Sequence, residues 1–104
     1  ANDLEVLQLL LDRRLVRPEQ TQELQAMGVI MGDLLAEDLG MRWVVYEDRQ
    51  GRSRALRYRQ TDEYLFPITM ISRRQEADNQ TPVAEIYQKA YDIIAPLRQD
   101  LPFR

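Results

Sequence analysis

The sequence contains neither cysteine nor histidine. Without cysteine the chain has no disulfide, no thiol nucleophile and no thiolate ligand for zinc. Without histidine it lacks the side chain that most often acts as a general base near neutral pH, so Ser-His-Asp and Cys-His mechanisms are excluded. A metal site would need carboxylates, carbonyls and water alone. We therefore predict no catalytic residue set, no metal site and no cofactor.

Long hydrophobic runs are also missing. No apolar stretch approaches the roughly 20 residues that a membrane-spanning helix needs, and we predict no membrane span. The length of 104 residues fits a single domain, residues 1–104. The first residue is Ala1 rather than methionine. A cytoplasmic location is the default expectation, and a periplasmic one follows if Ala1 is a processed N-terminus.

Apolar residues at helical spacing predict two helices in the first 40 residues. The first is expected at residues 3–15, with Asn2 or Asp3 as its cap. Its apolar arc covers more than half of the helix circumference. A helix with so wide an arc is usually covered on two sides. We expect the covering to come from the core of the same chain, and the alternative is a partner or homodimer interface.

The second helix is expected to begin at Pro18 and to end at Leu39, with Gly40 as the stop signal. Gly28 and Gly32 lie four residues apart inside it, on one face. Each glycine destabilises a helix interior by about 1 kcal/mol relative to alanine. We predict that another element packs closely against this face, and a binding groove is the alternative.

Residues 42–48 are predicted to form a strand. The continuous apolar run from Trp43 to Tyr46 favours a central strand that is covered on both faces. Residues 48–51 carry a turn signal that ends in Gly51, so residues 52–59 are expected to form the partner strand of a hairpin. A third, short extended segment is expected at residues 63–66.

The pattern after Pro67 fits two structures. Ile68 and Ile71 suit a helix over residues 68–76, which we prefer, whereas alternation through Met70 and Ser72 would suit a strand. After a polar loop at residues 77–80, Thr81 and Pro82 open a last helix that Pro96 ends or kinks. The predicted fold class is α+β: a small antiparallel sheet of two or three strands, packed by two N-terminal helices and a C-terminal helix.

Charge is distributed unevenly along the chain. Residues 1–41 carry eight acidic residues and three arginines, whereas residues 42–74 carry eight arginines and four acidic residues. The arginines of this basic segment are Arg42, Arg49, Arg52, Arg54, Arg57, Arg59, Arg73 and Arg74. Arginine binds carboxylate and phosphate through a planar fork. These arginines either pair with acids of the flanking helices or bind a partner.

The candidate binding residues are Arg57, Arg59, Arg73, Arg74 and Trp43. The partner that we expect is another protein with acidic groups. Nucleic acid is not expected, because the net charge of the chain is −3 and no helix-turn-helix or glycine-aromatic signature is present.

Four stretches of the sequence, at residues 27–32, 39–45, 55–58 and 65–74, carry a family resemblance. The most distinctive is the string Phe-Pro-Ile-Thr-Met-Ile at residues 66–71. Together they resemble a family of small bacterial domains known as domain of unknown function 3806. The resemblance implies a bacterial source and a small standalone domain. It supplies no active site, so no functional residue is carried over from it.

Three functional hypotheses fit these observations. The first is a non-enzymatic protein-interaction module with a binding, escort or immunity-type role. The second is an anion-binding domain that uses its arginine-rich hairpin region. The third is an enzyme whose chemistry depends on carboxylates and tyrosine alone, which would need a pocket lined by at least two acids.

Overall fold

The structure, a computed structural model, describes residues 3–17, 19–77 and 81–98. In chain order the elements are α1 (Asp3–Asp12), α2 (Thr21–Leu39), β1 (Met41–Asp48), β2 (Gly51–Tyr58), β3 (Tyr64–Leu65), a 3-10 turn (Pro67–Thr69), α3 (Met70–Glu76) and α4 (Val83–Arg98). The three strands form one antiparallel sheet. The predicted α+β class with a small antiparallel sheet is confirmed. Of the three helices that were predicted to pack on the sheet, α2 does so, whereas α1 and α4 pack chiefly on α2 and on each other.

Helix α2 is the central element of the fold. Its buried side chains recur at helical spacing, and they are Leu24, Met27, Met31, Leu35 and Leu39. Helices α1 and α4 pack against α2, and so do the 3-10 turn, α3 and the sheet. The core therefore surrounds one helix, because apolar residues occupy more than one of its faces.

The predicted bounds of the first two helices need correction. Helix α1 ends at Asp12 rather than at residue 15, because Arg14 adopts a left-handed φ of 55°. The amide of Leu15 donates to Leu10 O at 3.0 Å and that of Arg14 to Leu11 O at 3.1 Å, which is the bonding of a Schellman cap. Helix α2 begins at Thr21, while Pro18, its predicted start, lies outside the described residues. It ends at the predicted stop, Gly40, whose φ is 71°.

The two glycines of α2 face the segment that follows β3. A Cβ atom built on Gly28 would lie 2.4 Å from Ile68 O and 2.6 Å from Pro67 O. A Cβ atom on Gly32 would lie 2.5 Å from the Trp43 ring. Non-bonded carbon and oxygen atoms do not approach this closely, so only glycine lets the backbone of α2 lie this near to the 3-10 turn and to the Trp43 side chain.

The sheet order is β1-β2-β3, so β2 is the central strand. The prediction that β1 is central was wrong. Its apolar run arises because each face of the strand is partly covered in a different way. Trp43 packs on α2 at Gly32, whereas Tyr46 lies on the opposite face beside the ring of Tyr64. A run of apolar residues therefore marks two half-covered faces here and not a strand with two neighbours.

The segment after β3 is helical, as preferred from the sequence. Pro67 begins the 3-10 turn and is itself buried, and α3 follows without a break. Ile71 of α3 is fully buried. Residues 78–80 of the predicted loop lie outside the described residues, as does the predicted tail at residues 101–103.

Helix α4 completes the core against α1 and α2. Its buried side chains are Val83, Ala90 and Ile94. The amide of Val83 donates to Gln8 Oε1 at 2.7 Å, and the Tyr87 hydroxyl donates to Asp38 Oδ2. Burial raises the pKa of Tyr87, and the hydrogen bond to Asp38 raises it further. The helix continues through Pro96 to Arg98.

Candidate interaction surfaces

Among the residues that the structure describes, strand β1 lies at the edge of the sheet and has a strand neighbour on one side only. All eight of its residues pair with β2 in one uninterrupted register, from Met41 opposite Tyr58 to Asp48 opposite Gly51. The strand contains no proline and no bulge, which are devices that proteins use to protect an exposed edge. We call the unpaired side of residues 41–48 the open edge.

The backbone groups that face the open edge follow from the pairing pattern. In an antiparallel pair the residues alternate between those bonded to the neighbour and those pointing away from it. The Tyr58 amide donates to Glu63 O, on the β3 side, at 3.0 Å, so Tyr58 points away from β1. By alternation the residues of β2 that bond β1 are 51, 53, 55 and 57. Their partners are the even-numbered residues of β1, and the odd-numbered residues, including Trp43, Val45 and Glu47, direct their N–H and C=O groups to the open edge.

One face of the sheet, the helix-side face, packs on α2. Met41 and Leu56 are buried there, and Trp43 is half-buried against Gly32. The Trp43 indole donates to Asp33 Oδ1 at 2.8 Å, and the Arg54 guanidinium lies 4.9 Å from the ring centroid. These contacts hold Trp43 in place within the fold.

Beyond Trp43 the helix-side face becomes exposed. Val45 is 66% exposed, the highest value among the large hydrophobic residues identified as exposed. Glu47 pairs with Arg52 of the adjacent strand at 3.4 Å, and both side chains are largely in solvent. The distal half of the open edge therefore combines unpaired backbone groups with an exposed apolar side chain.

The other face, the outer face, carries an aromatic cluster. The Tyr46 ring meets the Tyr64 ring edge-on at a centroid distance of 5.0 Å and the Phe66 ring at 5.3 Å. Phe66 is 39% exposed. Arg42 and Arg57 are directly opposite each other on this face. The outer face is thus an apolar aromatic surface with two arginines at one end.

Arg57 and Arg59 serve the turn that connects β2 to β3. The Arg57 guanidinium donates to Thr61 O at 2.7 Å and to Gln60 O at 3.3 Å. Arg59 has a left-handed φ of 54°, and its guanidinium lies 5.1 Å from the Tyr58 ring centroid. Since Trp43 pairs with Leu56, it lies on the face opposite to that of Arg57. The structure does not bring Trp43 and Arg57 to one surface.

Arg73 and Arg74 lie on α3 and line a groove of about 370 Å³ between α3 and α4. The Arg74 guanidinium donates to Thr81 O and to Gln75 Oε1. Burial lowers the pKa of Arg74, and the nearby Asp12 acts in the opposite direction. Arg73 is exposed. Arg57 and Arg59 are not among the residues that line this groove, which we call the α3–α4 groove.

Sequence reasoning did not identify two residues that contribute to these surfaces. Lys89 lines the α3–α4 groove with the two arginines, and its spacing of three and four residues from Ile86 and Ile93 could have placed it on that helix face. Asp33 accepts the Trp43 indole N–H. That contact joins two different elements, so no local pattern indicates it.

The outward side of α1 remains apolar and exposed. Val6 and Leu9 are each 48% exposed, and Leu15 in the following turn is 63% exposed. Leu7 and Leu11 supply the buried side of the same helix. Homodimerisation through α1 stays a prediction.

The described residues contain neither an acidic cluster that could bind a metal ion nor a helix that could cross a membrane. No group of three or more acidic, histidine or cysteine side chains is placed to hold a metal ion. Among the helices formed by these residues, none is both long and apolar enough to cross a membrane.

Comparison with known protein families identifies a match over most of the chain. The family model described as "Domain of unknown function (DUF3806)" matches residues 3–87. This span includes α1, α2, the whole sheet and α3, and it ends within α4. No curated protein and no solved structure matches the chain.

Proposed function

The chain belongs to the DUF3806 family, and we propose that it is a protein-interaction module that binds an extended segment of another polypeptide chain at the open edge of β1. The observation that carries this proposal is an eight-residue edge strand without proline or bulge. Exposed edges of this kind pair readily with other strands. Recognition domains use the same geometry, in which main-chain hydrogen bonds provide affinity and alternate side chains provide specificity.

The side chains beside the open edge define the kind of segment that fits. Val44 and Val45 offer apolar contacts on the two faces of the sheet. Arg42 offers a guanidinium at the start of the strand, where its neighbour on β2 is Arg57. We expect a bound segment with apolar residues at its centre and a carboxylate placed to meet Arg42. Whether such binding serves escort, neutralisation or another role depends on the chain that is bound.

The test uses random ten-residue segments displayed on phage and selected on the immobilised protein. Val45→Pro removes an amide that points to the open edge, so it should spare the internal ladder and weaken binding of the selected segments at least about tenfold. Val45→Thr keeps the amide and the branched side chain and serves as the matched control. Selected segments that bind Val45→Pro as tightly as the unmodified protein would contradict the proposal.

A second candidate function, binding of small anions with an apolar body, is favoured by the α3–α4 groove. Its lining is apolar at Met70, Ile86 and Ala90, and Arg73 and Lys89 provide cations. Lys89 is 4.0 Å from Glu85 in an exposed pair, which is a weak interaction that a ligand carboxylate could replace. The volume of about 370 Å³ is within the range of small-molecule sites.

Isothermal titration with decanoate and decanol tests this second function. Decanoate should bind more tightly than decanol, and Arg73→Gln should weaken decanoate binding about fivefold or more. Arg49→Gln, in the hairpin turn, removes the same charge outside the groove and should leave binding unchanged. Equal affinity for the acid and the alcohol would show that the cations of the groove do not recognise an anion.

The third hypothesis, a carboxylate enzyme, requires a pocket lined by at least two acids. Among the described residues that line the α3–α4 groove there is no carboxylate. This groove therefore gives the enzyme hypothesis no support.

A further inference from the structure

Strand β1 is self-complementary when two copies are aligned antiparallel. With Val45 opposite Val45 of a second copy, Arg42 lies opposite Asp48 of that copy, and the same pair occurs again at the other end. In the same alignment Val44 lies opposite Tyr46 of the second copy, and Trp43 lies opposite Glu47. Charged residues meet opposite charges and apolar residues meet apolar ones on the outer face.

From this register we propose that a second copy of this chain pairs with the open edge of β1, forming a two-fold symmetric dimer with one continuous antiparallel sheet. The inference rests on the proposed function, because it names the partner of the same edge. Two-fold symmetry requires that one patch be complementary to itself. The antiparallel alignment of β1 satisfies that requirement.

The backbone restricts the register to few choices. The odd-numbered residues of β1 direct their amides to the open edge, so they must lie opposite odd-numbered residues of the second copy to exchange hydrogen bonds. Centring on Val45 meets this condition. A slip by one residue would place an amide that points to the open edge opposite one that points to β2, and the hydrogen bonds between the two copies would be lost.

Side chains then select among the registers that the backbone allows. Centring on Tyr46 would place Asp48 opposite Val44 and Glu47 opposite Val45. Centring on Val44 would leave Arg42 opposite Tyr46 and Asp48 without a counterpart. The Val45-centred register is the one in which Arg42 meets a carboxylate.

A carboxylate opposite Arg42 would offset the repulsion that this residue experiences within its own sheet. Its direct neighbour on β2 is Arg57, and like charges opposite each other destabilise a sheet. The Arg57 guanidinium is bonded to the carbonyls of the turn that follows β2. Asp48 uses Oδ1 to accept the Gln50 amide at 2.9 Å, and its second oxygen remains able to accept a hydrogen bond from Arg42 of the second copy.

Charge reversal across the symmetric interface provides the first test. Sedimentation analysis of the unmodified protein should show a dimer that dissociates on dilution. Arg42→Glu and Asp48→Arg should each be monomeric, because each creates two like-charge pairs in its own dimer. An equimolar mixture of the two variants should dimerise again, because the mixed dimer contains one original pair and one reversed pair. A mixture that stays monomeric while the unmodified protein dimerises would overturn the register.

Cysteine cross-linking provides a second test, which does not alter the charges of Arg42 and Asp48. The chain has no cysteine of its own. In the proposed register the two Val45 Cα atoms are about 5.5 Å apart, within the range of a disulfide. Val45→Cys should therefore form a disulfide-linked dimer under mild oxidation. Glu47→Cys, whose two Cα atoms would be about 14 Å apart, is the matched control and should remain uncross-linked.

The outcomes separate this inference from the proposed function. If the unmodified protein is monomeric at several hundred micromolar, the dimer is excluded, and segments selected from the display library can still depend on the Val45 amide. If Glu47→Cys cross-links as fast as Val45→Cys, the dimer is not in this register. If the dimer forms as proposed and no displayed segment binds, the edge serves self-association alone.

Discussion

At Gly28 the backbone of α2 lies against the carbonyl groups of Pro67 and Ile68, which belong to another backbone segment. At Gly32 the nearest atoms belong instead to the side chains of Trp43 and Pro67. The Trp43 ring can move by rotation of its own side chain, which weakens its contacts with Asp33 and Arg54, whereas a carbonyl in a 3-10 turn moves only with its backbone. The two glycines therefore differ in the kind of neighbour that a methyl group would displace.

Alanine substitution should distinguish the two positions. Alanine favours the helix by about 1 kcal/mol, and overpacking costs about 1–3 kcal/mol. We expect Gly28→Ala to lower the free energy of unfolding by about 2 kcal/mol and Gly32→Ala by about 1 kcal/mol or less. Urea denaturation of both variants measures the difference. A larger loss at Gly32 would mean that the Trp43 ring is held more rigidly than the 3-10 turn.

At two tyrosines, replacement by phenylalanine should change the free energy of unfolding in opposite directions. The Tyr58 hydroxyl is buried and has no hydrogen-bond partner among the described residues, so Tyr58→Phe should raise the free energy of unfolding by about 1 kcal/mol. The Tyr87 hydroxyl donates to Asp38, so Tyr87→Phe should lower it by about 1 kcal/mol at pH 7. Each variant is the control for the other, because both lose one hydroxyl. If urea denaturation shows that both substitutions change the free energy of unfolding in the same direction, the prediction is contradicted.

The Tyr87 contact also predicts a pH dependence. The pKa of Tyr87 is raised in the folded state, mainly by burial and then by Asp38. A raised pKa means that the stabilising contribution is complete below the unfolded value of about 10 and is lost as the pH rises above it. The unmodified protein should therefore lose stability more steeply than Tyr87→Phe from pH 10 upward. Parallel curves of unfolding free energy against pH would show that the folded and unfolded pKa values do not differ.

The helices and the hairpin were predicted well, because residues close together in the sequence indicate them. The order of the strands in the sheet was not predicted correctly. Gly40 and the spacing of Leu24, Met31 and Leu35 indicate α2, because capping and helical periodicity depend on residues that are close together in the sequence. The hairpin is indicated in the same way by its turn. The edge position of β1 depends on the pairing of β2 with β3, which joins residues that no local pattern relates. The candidate arginines were separated for the same reason, since the contacts of Arg57 are set by the following turn.

Proline substitution tests the edge geometry of β1 directly. The Val44 amide faces β2, so Val44→Pro should remove a ladder hydrogen bond and lower the free energy of unfolding by about 3 kcal/mol. The Val45 amide faces the open edge, so Val45→Pro should cost about 1 kcal/mol or less in the monomer. Chemical denaturation at low protein concentration measures both variants. Equal destabilisation would mean that the Val45 amide is bonded within the chain.

At the scale of the whole molecule, pairing at the open edge would extend a small sheet and bury apolar surface that is exposed in the single chain. The chain measures 45 × 36 × 19 Å, and its sheet has three strands, of which β3 has only two residues. Helix α2 covers part of one face of this sheet, but it leaves Val45 at the edge strand 66% exposed. Pairing at the open edge would supply three more strands and would cover Val45. Folding and association are then thermodynamically linked, because the second copy binds the folded chain and not the unfolded one.

This linkage predicts a thermal midpoint that depends on protein concentration. A hundredfold increase in concentration contributes about 1.4 kcal/mol per chain to a dimer, which corresponds to a rise of about 5 °C or more for a domain of this size. Val45→Pro should show a lower midpoint that does not move with concentration, because its edge lacks a central hydrogen-bond donor. Scanning calorimetry at the two concentrations measures both shifts. A midpoint that stays constant for the unmodified protein would mean that the open edge is unoccupied at the melting temperature. A concentration-dependent shift that persists in Val45→Pro would mean that the chains associate through another surface. The first surface to test would then be α1, where Val6 and Leu9 are exposed.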